Sequence, residues 1–292
     1  MLLLEAIQNF TIHLISRERS SETVRGYSMT LEDFRKFIEN KLNGAVYVDE
    51  IKLDHYEWYL SYRRDRGDQI VSRNRALYIL RSFGKFLLLR DLVEKDYSQR
   101  LEPLNEPKKE RVSLTLEELE ALLKAIRHPL VRVAARTMGY TGLRVSELCN
   151  LKLDDVDVVA GLIQVIEGKG KKNRIVPINP TLLEDLKTYL ASERPNVKSQ
   201  YFFATQKTGR LSPYYINKHL KEATDALGWD KHITAHILRH SFASALVAKN
   251  APLASIQKLL GHSDLRVTSV YIHQNVEQLQ EAVNLIGGEV HE

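Results

Sequence analysis

Two arginines, a lysine, two histidines and a tyrosine in the second half of the chain form a set suited to one kind of chemistry: Arg144, Lys169, His236, Arg239, His262 and Tyr271. They sit in the short stretches TGLRVSEL (141–148), EGKGKKNRIVPI (167–178), HILRHSFAS (236–244), LLGHSD (259–264) and VYIH (270–273). Attack on a phosphodiester builds a phosphorane with about one extra negative charge, and each preorganised donor that meets this charge supplies ~3–4 kcal/mol. Arginine suits the role because its planar fork grips two phosphate oxygens and stays protonated. Arg144 and Arg239 are the candidates. On a helix His236 and Arg239 are three residues apart and share a face, which leaves Leu238, Phe242, Ala245 and Leu246 for the core. The nucleophile must form a stable phosphoester. Tyrosine, with an ordinary pKa of ~10, does so when a base or a cationic pocket ionises it as it attacks, and Tyr271 has histidines to serve both needs. A lysine at a turn crowded with other cations suits proton donation to the leaving oxygen, and Lys169 fits that place.

Taken singly, each residue has a plainer role open to it. Arg144 and Glu147 have the spacing of an i,i+3 surface ion pair. His236, His240 and His262 have the residue type of a metal cluster, although HILRH lacks the glutamate of HExxH and sets an arginine inside a cation site, so no metal is expected. Tyr271 is one of 13 tyrosines, and Lys169 in a polar turn is by default solvated. The combination and its order carry the reading.

The elements that must position these groups are legible in outline. Leu3, Ile7, Phe10 and Leu14 form one helical stripe, and Val24, Tyr27, Leu31, Phe34 and Ile38 a second. Tyr56, Tyr59 and Leu60, then Leu77, Leu80, Phe83 and Leu87, supply two more, which predicts a four-helix bundle over the first hundred residues. Residues 101–112 (LEPLNEPKKERV) lose all apolar period and read as a linker. Thr115 and Glu118 then make a capping box, stapled by Leu114 and Leu119, so a helix over 115–127 opens a second domain. Within 157–178 the β-rich runs GLIQVI and RIVPI flank a glycine-punctuated centre, which predicts a hairpin with Lys169 near its tip. Helices follow at 181–193, 213–227, 234–249 and 253–260, with Gly261 as a C-cap, and a further one from Ser263 carries Tyr271. The fold class is mainly α with a small β-hairpin or sheet.

The bulk figures agree with a polyanionic partner. The 292 residues are 43% hydrophobic and 27% charged, with a net charge of +5. Three runs hold cations without acids. Residues 72–90 carry Arg73, Arg75, Arg81, Lys85 and Arg90; residues 168–174 carry Lys169, Lys171, Lys172 and Arg174; residues 206–221 carry Lys207, Arg210, Lys218 and Lys221. Any one run reads as a solvated face, but three together favour phosphate contact, with Arg73, Arg75, Arg81, Lys85, Lys171, Lys172, Arg174 and Arg210 as DNA-binding candidates. Cys149 is the single cysteine, which excludes a disulfide framework. The opening MLLLEAIQNF lacks the basic start of a signal peptide, and no apolar run reaches the ~20 residues of a membrane span. A cytoplasmic protein is expected.

Taken together, TGLRVSEL, GKGKKNRIVPI, TAHILRHSFAS and LLGHSDLRVTSVYIH resemble the signature boxes of the tyrosine recombinases, phage-integrase-like enzymes, in that family's order and spacing. The resemblance is strong over about 113–275 and looser before it. The length, with no additional N-terminal arm-binding domain, is similar to the Xer subgroup, which separates chromosome dimers at a short site. The resemblance implies a SAM-like core-binding domain (1–100), a linker (101–112) and a catalytic domain (113–292). It implies that Arg144 and Arg239 bind the scissile phosphate, that His236 and His262 assist proton transfer and orientation, that Lys169 is the general acid and that Tyr271 is the nucleophile. Lys171 and Lys172 stand beside Lys169 as alternative donors. The implied product is a 3′-phosphotyrosyl link with a free 5′-hydroxyl, rejoined to a partner strand without cofactor, metal or ATP. Double-stranded DNA with a specific site is the implied partner, bound by a dimer on one site and a tetramer on two. The tail VEQLQEAVNLI (276–286) would dock into a neighbouring protomer. Neither a membrane nor a small-molecule substrate is expected. One departure is Ala235, where relatives commonly carry proline. The competing readings are a phage or mobile-element integrase, a type IB topoisomerase, and a DNA-binding module without catalysis.

Overall fold

The computed structural model of the chain describes residues 1–106, 112–166 and 173–261. It divides into two compact units, Met1–Lys109 and Glu110–Glu292, each with its own hydrophobic core. Among the described residues no helix is long and apolar enough to cross a membrane.

The first unit is built on four helices, α1 (Leu3–Ser16), α2 (Ser21–Leu42), α3 (Leu53–Asp65) and α4 (Ile70–Leu89). The expected stripes face inward: Leu3, Ile7, Phe10 and Leu14 on α1, and Leu31, Phe34 and Ile38 on α2, are buried. Phe10 packs against Phe83 and Phe86 of α4 with ring centroids 5.4 and 5.1 Å apart, and Phe34 stacks on Tyr56 at 5.4 Å. Ser20 caps α2, its Oγ accepting from the Thr23 N–H at 3.2 Å. The start of the expected linker is tied down rather than loose. Asn74 of α4 donates to the Leu104 carbonyl and to Glu106, at 2.8 and 2.7 Å, and accepts from the Leu104 N–H at 2.8 Å. Arg81 donates to the Ser98 and Leu101 carbonyls.

The second unit opens with α5 (Leu116–Ala125), capped as its sequence demands. Thr115 Oγ1 accepts from the Glu118 N–H at 3.2 Å, and Glu118 Oε2 from the Thr115 N–H at 3.1 Å, with Leu114 and Leu119 buried on either side. The helix stops short of residue 127. Ile126 is extended and its carbonyl is taken by the Arg132 guanidinium at 3.0 and 2.9 Å, while Pro129 keeps the residue before it out of the helical region. Two helices follow that local patterning did not announce, α6 (Pro129–Thr141) and α7 (Val145–Asn150). Helix α6 carries an apolar stripe, Leu130, Val131, Ala134, Ala135 and Met138, opposite a face with Arg132 and Arg136.

The expected hairpin is part of a three-stranded antiparallel sheet, β1 (Val156–Asp157), β2 (Leu162–Val165) and β3 (Arg174–Pro177), in the order β1-β2-β3. Val165 pairs with Arg174 and Ile163 with Val176. Helix α8 (Pro180–Thr188) continues through a π-helical stretch, Tyr189–Glu193. It is followed by α9 (Pro213–Ala226), α10 (Ala235–Ala248) and α11 (Leu253–Leu260), with Gly261 in the left-handed conformation at the end of α11. The expected helices from Ser263 and over 276–286 lie outside the described residues.

Candidate functional site

The site is assembled from three chain stretches that meet around one carboxylate. Helix α6 ends at Gly142, whose φ of +67° is a left-handed turn. A Cβ there would stand 2.5 Å from Phe242 Cδ1, so only glycine lets α6 end this close to α10. The turn buries Leu143 and places Arg144 at the N-terminus of α7. From there the Arg144 backbone N–H donates to Glu147 Oε2 at 2.7 Å and its guanidinium to Oε1 at 2.6 Å. The expected ion pair therefore exists, but it is not a surface pair, because the Glu147 side chain is only 8% exposed.

The reason is Arg174. Its place on β3 puts it on the inward face with Val176, and its side chain is 7% exposed. The guanidinium forks onto both Glu147 oxygens, at 3.0 and 2.7 Å, and its Nε donates to the Leu259 carbonyl at 2.8 Å. Arg174 was expected among the DNA-facing cations; it is turned into the protein instead, because strand alternation points it there and a carboxylate receives it. Arg239 completes the group from α10. It is 5% exposed, donates to the carbonyls of Gly142 and Leu260 at 2.7 and 2.6 Å, and lies 3.8 Å from Glu147 Oε2. His236 is exposed while Arg239 is buried, because neighbouring carbonyls and Glu147 satisfy its donors inside the fold. His236 stands beside His240, with ring centroids 5.5 Å apart.

Three guanidiniums thus converge on one carboxylate. Burial raises the Glu147 carboxyl, but the Arg174 hydrogen bonds, the Arg144 backbone N–H, the Arg174 charge and the Arg144 side-chain hydrogen bond outweigh it and hold the group down at about 2. The C-terminal end of α11, the negative end of its dipole, is drawn into the same cluster. Its successive carbonyls at Leu259, Leu260 and Gly261 accept from Arg174, Arg239 and Arg144, the last at 3.4 Å. The arrangement brings Arg144 and Arg239 together. Lys169, Lys171, Lys172, His262 and Tyr271 lie outside the described residues.

Helix α10 starts firmly despite Ala235. An alanine keeps the N–H that a proline would lack, and it donates to Asn217 Oδ1 of α9 at 2.9 Å. Of the remaining cations expected on DNA, Arg75 and Lys85 are exposed on α4 and Arg73 is half-buried there. Arg81 is committed to the 98–101 carbonyls, and Arg210 lies over the Tyr201 ring at 5.1 Å. Among the described residues no three or more His, Cys, Asp or Glu side chains are gathered as a metal site. The sequence pointed to Glu147 only as a surface partner of Arg144 and to Arg174 only as a DNA-facing cation, not to their meeting in this cluster. A charged residue on the buried parity of a β-strand was the available signal for Arg174.

Residues 112–278 match the model of the phage integrase family, and residues 7–91 match its N-terminal SAM-like domain. The chain is 34% identical over 297 residues to the tyrosine recombinase XerA of Pyrococcus furiosus, covering 98% of this chain and 97% of that one. It is 32% identical over 274 residues to the tyrosine recombinase XerD of Staphylococcus saprophyticus, covering 91% and 92%. Its fold is similar to that of the Tn1549 transposon integrase in complex with a circular-intermediate DNA, with a TM-score of 0.79 at 18% identity over 96% of this chain and 98% of that one. This chain belongs to the phage integrase family and is a tyrosine recombinase, an enzyme that cleaves and rejoins DNA.

Proposed function

We propose that the chain recombines double-stranded DNA at a short specific site, with Tyr271 as nucleophile. The Tyr271 oxygen attacks the scissile phosphorus, the bond from phosphorus to the 5′-oxygen breaks, and a 3′-phosphotyrosyl link and a free 5′-hydroxyl result. Arg144 and Arg239 bind the non-bridging oxygens, Lys169 gives the proton to the leaving oxygen, and His236 and His262 orient the phosphate and handle the phenol proton. Attack by a partner strand's 5′-hydroxyl reverses the steps, so the bond energy is kept and no nucleotide is spent. The observation that carries this reading is the meeting of Arg144 and Arg239, from two helices, at one cationic cluster. Relatives named XerA and XerD favour chromosome-dimer resolution as the biological task, carried out by a dimer on one site and a tetramer on two.

The test is covalent trapping in EDTA. Nicked duplex fragments from the source genome are mixed with the protein and with Tyr271→Phe, and both are run on denaturing gels. A DNA-linked band in the wild type alone is the expected result, and sequencing the trapped DNA names the site. A band of equal strength from the Tyr271→Phe protein would overturn the nucleophile. No band despite tight binding to the same fragments would point to a binding module.

A further inference from the structure

The proposed chemistry draws its groups from three separate places: Arg144 at the start of α7, Lys169 in the hairpin between β2 and β3, and His262 and Tyr271 in the chain that follows α11. Something must hold these places in register. Arg174 lies on β3 and bonds both Glu147 of α7 and the Leu259 carbonyl of α11, so it adjoins each of the three. It stands on β3 at the base of the hairpin, five residues after Lys169 and paired across the sheet with Val165. Its two terminal nitrogens grip the carboxylate that Arg144 also grips, and its Nε takes the Leu259 carbonyl, three residues before His262. The fit against the end of α11 is close, since a Cβ on Gly261 would lie 2.9 Å from the Arg174 Nη1.

We infer that Arg174 is a positioning residue for DNA cleavage, which sets Arg144 and the chain leading to His262 in register with the hairpin through the Glu147 carboxylate and the Leu259 carbonyl. This rests on the proposed roles of Arg144 and Tyr271. A charged side chain on the inward face of a strand, among Val165, Val176 and Ile163, is a poor choice for stability alone, because an apolar residue of similar size serves a core at least as well as a buried ion pair. What an apolar residue cannot do is fix a carboxylate in two directions and a carbonyl in a third. A lysine cannot either, since its ammonium is a point charge without the rigid fork. Glu147 is the second half of the argument. With Arg174 in place both of its oxygens are committed, and the Arg144 guanidinium meets a fixed partner. Without Arg174 the full carboxylate charge falls on Arg144 and on Arg239, 3.8 Å away, and draws both from the phosphate. Arg174 acts through Glu147 and touches no DNA.

The experiment is single-turnover cleavage of a nicked site at saturating DNA, with affinity and melting measured alongside. Arg174→Gln, Arg174→Lys, Glu147→Gln and the Arg174→Gln/Glu147→Gln double variant are compared with wild type. We expect each Arg174 variant to bind DNA as wild type does yet cleave on the order of 100-fold more slowly, the cost of a small misplacement of reacting groups. The double variant should cleave no more slowly than the slower single one, because both changes break the same link. Three results would overturn the inference: wild-type cleavage by folded Arg174 variants, a loss of affinity that accounts for the loss of rate, or a double variant whose loss is the product of the single losses. Should Arg174→Gln not fold, Arg174→Lys, which keeps the charge, carries the rate and affinity arms. A wild-type protein that forms no covalent complex would instead sink the proposed function, so the two failures are told apart.

Discussion

At the scale of single residues the site is organised by a carboxylate rather than by its cations. Guanidiniums gathered at one place repel one another, and Glu147, buried among three of them, offsets part of that repulsion. Its titration gives a direct handle. A carboxyl held at about 2 when folded adds stability that is complete above the unfolded value near 4.5 and is lost as the pH falls toward 2. Between about pH 4.5 and pH 2 the wild-type melting temperature should therefore fall more steeply than that of Glu147→Gln, which lacks the titrating group. Parallel curves for the two proteins would remove Glu147 from the linkage. Arg144 and Glu147 were visible in the sequence as an i,i+3 pair. Their burial was not, because it comes from Arg174 arriving on a strand 27 residues from Glu147.

At the scale of elements, local signals and close approaches divide the work. The Thr115–Glu118 box announces α5 and the glycine at 261 ends α11, both as the sequence predicts. Helices α6 and α7 were not expected: the stripe of α6 is made partly of small residues, Ala134 and Ala135, and α7 is too short for a period. The turn between them is where the fold is least tolerant. Gly142→Ala would strain a backbone at φ +67° and drive a methyl group into Phe242 and Leu260, at an expected cost of about 2–4 kcal/mol. Urea unfolding would read this as a lower midpoint at unchanged slope, and cleavage should fall with it, since the same turn carries Arg144. A midpoint like that of wild type would show that α6 and α10 can part without cost.

At the scale of the whole molecule, two cores share one chain. The first unit buries Phe10, Phe34, Tyr56, Phe83 and their neighbours among themselves, and Asn74 and Arg81 fasten residues 98–106 back onto α4. The residues expected to form a linker from 101 therefore belong in their first half to the bundle. The prediction is that residues 1–106 expressed alone form a helical fragment with a single cooperative thermal transition by circular dichroism. A gradual, non-cooperative loss of signal would show that this core needs the rest of the chain.

The sequence by itself determined the family, the helical character of both units, the capping of α5 and the end of α11, and it supplied the residues proposed for the chemistry, because each is written in residue type at short, fixed spacing. Only the tertiary structure decided which charges meet. Glu147 receives Arg144 from three residues away, Arg174 from 27 and Arg239 from 92, and carbonyls at the end of α11 accept from all three arginines. Periodicity reports which face of an element is buried, but not which buried charge it will find there. That is settled by the cost of leaving a charge unpaired in the interior, a property of the assembled fold and not of any one stretch of chain.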